Sequence, residues 1–88
     1  MEKGKTITGF EFEVDPIVFD DWEILEKLNE IDNGNTALMV DVARQVLGQE
    51  QLDALKEHVK KLHGGKASIT AMGEALGEIF EACSTSKN

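Results

Sequence analysis

Breaks at Asp32-Asn33-Gly34-Asn35, at Gly48 and at Gly64-Gly65 divide most of the chain into segments of about a dozen residues. Glycine and asparagine tolerate the left-handed backbone that ends a helix. Between the breaks, apolar residues recur with the 3.6-residue period of a helix that buries one face. A chain divided this way is limited to a small bundle of short helices.

Four segments carry the pattern. In residues 20–32, Trp22, Ile24, Leu25, Leu28 and Ile31 occupy one half of the helical wheel, and Glu23, Glu26 and Glu30 with Lys27 the other. Asp20 and Glu23 are spaced as a capping box, and Phe19 is placed to staple onto Ile24. Phe19 and Trp22, the only tryptophan, are the expected anchors for the other helices. Residues 36–47, capped by Asn35 or Thr36, are apolar over more than half the wheel, which predicts a central helix. Residues 49–62 carry a narrower stripe of Leu52, Leu55, Val59 and Leu62. Lys60, Lys61 and His63 stand where a helix C-terminus favours cations. Residues 68–83 begin at the capping side chain Ser68 and present Ile69, Met72, Leu76, Ile79, Phe80 and Cys83.

Ahead of the helices, residues 6–14 alternate, with Phe10, Phe12 and Val14 on one side and Glu11 and Glu13 on the other. That is the period of a strand. Thr8-Gly9 is placed to turn a hairpin, which must pack on the helices because it is marginal alone. The predicted fold is mainly α: a small four-helix domain, residues 5–83, with a short N-terminal β-hairpin or strand. Residues 1–4 are expected to be disordered and residues 84–88 to form a polar tail.

The net charge is −8. A chain this acidic is repelled by phosphate backbones and by anionic membranes, so neither nucleic acid nor membrane is an expected partner. The charge is uneven. Residues 1–33 hold ten acids against three lysines, and the remainder seven acids against six bases. The acidic part is a solvated face or one that meets a basic partner. No apolar run approaches the roughly 20 residues that span a bilayer, and no signal-peptide segment is present, so a cytosolic protein is expected.

No residue cluster carries evident chemistry, and no catalytic, metal or cofactor site is expected. His58 and His63 are five residues apart, not the three or four that place two ligands on one helix face. The Asp32-Asn33-Gly34 string lacks the sixth-position glycine and twelfth-position glutamate of a calcium loop, since Ala37 and Ala43 stand there. Gly64-Gly65-Lys66 lacks the rest of a phosphate loop. No serine follows an aspartate at a helix start, as an acyl carrier would need. Cys83 is a single cysteine on an apolar face, so a buried structural thiol is expected.

Gly73 and Gly77 lie four apart on the last helix, where each costs about 1 kcal/mol relative to alanine. The pair indicates a neighbour that approaches closely. One reading is an intramolecular helix contact. The other is a docking face for a partner, formed by Gly73 and Gly77 with Met39, Met72 and Ile79, because methionine adapts its shape and glycine admits a close helix.

Taken together, Gly9 at the hairpin turn, Asp21-Trp22-Glu23, Asp32-Asn33-Gly34, Leu47-Gly48-Gln49-Glu50-Gln51, Leu55-Lys56-Glu57-His58, Ile69-Thr70-Ala71-Met72 and Glu78-Ile79-Phe80 resemble the small tail assembly chaperones of long-tailed bacteriophages and prophages. The resemblance runs from about Ile7 to Ala82 and departs at residues 63–67. It implies a non-catalytic protein of the host bacterial cytoplasm, absent from the mature virion. Such a protein binds the tape measure protein and keeps it soluble while the tail tube assembles. The tail tube protein is a second implied partner, and a homo-oligomer is compatible. The family commonly makes a longer product by ribosomal slippage, so Lys87-Asn88 is expected to mark the junction of a short form. The alternative is a small acidic helical regulator or inhibitor, antitoxin-like or DNA-mimicking, that binds a protein partner.

Overall fold

The computed structural model describes residues 2–84. The order is β1 (Glu2–Lys5), β2 (Glu11–Val14), a 3-10 turn (Pro16–Phe19), α1 (Trp22–Asp32), α2 (Leu38–Leu62) and α3 (Ile69–Ser84). The fold is mainly α with an N-terminal antiparallel hairpin. Of the expected tail over 84–88, Ser84 belongs to α3, and residues 85–88, with Lys87-Asn88, lie outside the described residues.

The hairpin starts earlier than the alternation predicts. Residues 2–4, expected to be untethered, belong to β1, and the register pairs Glu2 with Val14, Gly4 with Phe12 and Lys5 with Glu11. The turn sets that register. The Gly9 amide donates to the Thr6 carbonyl at 2.9 Å, and Gly9 takes φ +99°. This is the three-residue loop in which a left-handed glycine closes a bulge. The buried Thr6 hydroxyl accepts from the Phe10 amide at 3.1 Å. Outside, Lys3–Glu13 at 3.5 Å and Lys5–Glu11 at 3.7 Å pair across the strands. Inside, the Phe12 ring lies over Gly4, where a side chain would collide with it.

Among the described residues three helices are present where four were expected, because the second and third are arms of α2, broken at Gly48 (φ 82°, ψ 158°). The expected stop is real, but the chain re-enters a helix at once. Two polar devices span the break. The Gln51 amide donates to the Leu47 carbonyl and the Glu13 carbonyl, each at 2.8 Å, and its oxygen accepts from the Glu13 amide at 2.8 Å. Gln51 thus ties the outer edge of β2 to the break. On the exposed side, Arg44 Nε donates to Gln49 at 2.9 Å and Gln49 donates to Asp53 at 2.9 Å. Asp53 also pairs with Lys56 at 3.3 Å.

The helix ends correct two expected caps. Asp21, not Asp20, caps α1, accepting from the Glu23 amide at 2.9 Å. Asp20 instead closes the 3-10 turn, its amide donating to Ile17. That shift takes Phe19 out of the staple position, and its ring meets Phe80 edge-on at 6.0 Å. Neither Asn35 nor Thr36 caps α2, which starts after Ala37 with no side-chain bond. Ser68 does cap α3, its hydroxyl accepting from the Ala71 amide at 3.3 Å. Gly64 and Gly65 have positive φ, and the Gly65 amide donates to the Lys60 carbonyl at 2.7 Å, closing α2.

The core is shared by both arms of α2 (Val42, Ala43, Val46, Leu47, then Leu52, Leu55, Val59), by α3 (Ala75, Leu76, Ile79, Cys83) and by Phe10, Phe12 and Val14 of the hairpin. α2 is the central element, packing on α1, α3, β2 and the 3-10 turn. Its stripe stops at Val59, leaving Leu62 exposed.

Candidate functional site

The wheel of α1 places its apolar residues over a full half-turn, but the helix has one packed side. It lies against α2 and the 3-10 turn. At about 100° per residue, Ile24, Ile31 and Leu28 share one sector. Ile24 is buried, and Leu28 and Ile31 are half-buried against the core. Trp22 points the opposite way and is 71% exposed, so it anchors no helix, contrary to its expected role. Leu25 is 53% exposed. Leu25, Asn29, Trp22 and Glu26 follow one another round the outside of the helix.

This outer face is acidic and unneutralised. Asp20, Asp21, Glu23, Glu26, Glu30 and Asp32 stand on or beside α1 against Lys27 alone. Lys27 donates to Gln45 of α2 at 2.8 Å. The ion pairs among the described residues lie on the hairpin and α2, and none includes a carboxylate of α1.

The five residues expected to form a docking face are not brought together. Ile79 is fully buried in the core and is unavailable to a partner. Gly77, two residues away, is exposed and roughly 200° round the helix. Met39 and Met72 are half-buried against the core. Gly73 is half-buried, and a β-carbon at Gly73 or Gly77 would meet nothing within 4 Å. The close intramolecular contact offered as the reason for these glycines is therefore absent. What remains of the predicted face is an open edge of α3, Gly73 and Gly77, with Ile69 exposed at the start of the same helix.

Several titratable groups outside α1 are occupied structurally. His58 Nε2 and the Thr8 hydroxyl share a hydrogen bond of 3.1 Å, and the His58 ring stacks obliquely on Phe10 at 5.6 Å. Glu78 accepts the Ile7 amide at 2.7 Å. Together these contacts fasten the hairpin tip to α2 and α3. Cys83 is buried, and desolvation, helped by the charge of Glu2, pushes its thiol above the ordinary value. Hydrogen bonds from Gln49 and Lys56 hold the Asp53 carboxyl below its ordinary value. A shallow depression beside the hairpin is lined by Lys3, Lys5, Glu11, Glu13 and Gln51, whose polar groups already engage one another.

Among the described residues, no group of histidine, cysteine and carboxylates is placed to hold a metal, and no helix is long and apolar enough to cross a membrane. Ile7, Ile17 and Val40 are also exposed, but Trp22 and Leu25 stand together among the acids of α1, and Ile69 stands at the open edge of α3. No family model, curated protein or solved structure matches the chain.

Proposed function

We propose that the protein is a non-catalytic binding module acting as a tail assembly chaperone of a long-tailed phage or prophage. It holds the tape measure protein soluble in the host cytoplasm and does not enter the finished virion. The observation that carries this reading is large apolar surface left uncovered on a highly charged domain. Trp22 and Leu25 on α1 and Ile69 on α3 stand in solvent, and Gly73 and Gly77 leave α3 open to a close helix. A domain with such faces can cover the apolar side of a client helix, while a net charge of −8 keeps the complex dispersed. The ordered motifs from Gly9 to Phe80 supply the phage assignment by resemblance.

Co-expression with the tape measure protein of the same genome tests it. Wild-type protein should keep that client in the soluble fraction. Gly77→Glu has open space around it, so it should fold normally and release the client into the pellet. A folded Gly77→Glu protein that still solubilises the client removes α3 from the contact. A wild-type protein that fails to solubilise it removes the chaperone reading.

The second reading, an acidic inhibitor or antitoxin-like regulator, is favoured by the unpaired carboxylates of α1. Gene order separates the two. A tube protein gene upstream and a long helical protein gene downstream belong to the chaperone, and an adjacent toxin or nuclease gene to the inhibitor.

A further inference from the structure

We infer that the outer face of α1 is a docking surface for a basic amphipathic helix, with Trp22 and Leu25 as its apolar anchors and Glu23, Glu26 and Glu30 as its charged border. This goes beyond the chaperone reading, because it rests on the chemistry of α1 and holds whichever protein supplies the helix.

Two independent observations meet on this face. The first is apolar. A lone exposed leucine is ordinary, but tryptophan is highly buried on average, and here it projects away from the packed side of its own helix with Leu25 beside it. Tryptophan is also the residue most enriched where partners bind tightly. The second is electrostatic. On the hairpin and α2, Glu11, Glu13, Asp41, Asp53 and Glu57 each have a lysine or arginine within 4 Å; the carboxylates of α1 have none, and they are gathered on one helix where Asp15, Glu50 and Glu74 stand singly.

Charge complementarity selects the occupant. A second copy of this chain would set Glu23, Glu26 and Glu30 against their own equivalents, and like charges facing each other are costly. An anionic lipid surface or nucleic acid meets the same repulsion. A helix with an apolar stripe edged by lysine or arginine covers Trp22 and Leu25 and neutralises the border at once.

Trp22 reports the event, being the only tryptophan. The probe is a short synthetic peptide of leucine and lysine patterned as an amphipathic helix. It is compared with a leucine–glutamate peptide of the same pattern and with a leucine–lysine peptide of scrambled order. The patterned basic peptide should bind saturably, move Trp22 emission to shorter wavelength, and lose affinity as salt rises. Leu25→Ala, and separately Glu23→Gln with Glu26→Gln and Glu30→Gln, should each weaken it roughly tenfold. All four positions are exposed, so circular dichroism should be unchanged. Binding without an emission shift, equal binding of the scrambled peptide, or full affinity in both variants overturns the inference. So does a concentration-dependent dimer that shifts Trp22 emission without peptide. Peptide binding with an insoluble tape measure protein leaves this surface standing and removes the chaperone reading. A soluble client with no peptide binding does the reverse.

Discussion

Gly4 stands directly opposite Phe12, and a β-carbon on it would lie 2.6 Å from the Cζ of that ring. Phe12 is itself buried, so the ring cannot swing into solvent to make room. Removing a glycine would gain about 0.4–1 kcal/mol through the unfolded chain, but overpacking costs about 1–3 kcal/mol. Gly4→Ala should therefore lower the urea midpoint. The opposite sign is expected at Gly77, where nothing lies within 4 Å: Gly77→Ala should raise stability by up to about 1 kcal/mol through helix propensity. Cys83 gives a pH signature. Its thiol is held neutral by burial, with its pKa raised, so the unfolded chain ionises first. The associated stability is present below the ordinary thiol value of about 8.5 and is lost as pH rises above it. Between neutral and alkaline pH, wild-type protein should lose more stability in urea than Cys83→Ala does. That comparison should be made at constant salt.

At the scale of elements, α2 shows what was legible in the sequence and what was not. Gly48 reads as a stop from its position between two apolar stripes, and its backbone is indeed non-helical. That the two arms run on without a loop does not follow from the pattern, because the joint is made by Gln51 and Glu13, 38 residues apart. β1 escaped for a related reason. Glu2-Lys3-Gly4-Lys5 has no strand propensity, and its order is imposed by the Thr6–Gly9 turn and by lysines opposite glutamates. α1 failed differently. A half-wheel of apolar residues marks a face, but how much of it is covered depends on how many neighbours the topology supplies. Trp22 lay between Asn29 and Glu26 on that wheel, opposite Ile24 and Ile31, which was the available signal. The site suffered most, since Gly77 and Ile79 were grouped although they sit on opposed sides of α3. The Gln51 joint is testable. Gln51→Ala removes three hydrogen bonds, each contributing about 0.5–1.5 kcal/mol net. It should speed amide exchange at Glu13 well beyond any change at core positions of α3.

For the whole molecule, the single core spans every layer, so deep truncations should be global in effect. Ile79 is fully buried among residues of α2 and the hairpin. Ile79→Ala is expected to cost about 2–5 kcal/mol, a large share of the roughly 5–15 kcal/mol that holds a domain together. Its unfolding should stay two-state by circular dichroism, with a lower midpoint and an unchanged slope. The fastening of the hairpin also has a consequence for synthesis. Thr8 is tied to His58 and the Ile7 amide to Glu78, 50 and 71 residues further along. The hairpin is thus made well before the two residues that fasten it, and finds its place only after they follow. At about 5–20 residues per second it waits roughly 4–14 s for α3. Through that interval Phe10, Phe12 and Val14 have only α2 to pack against, and their other side stays open to solvent.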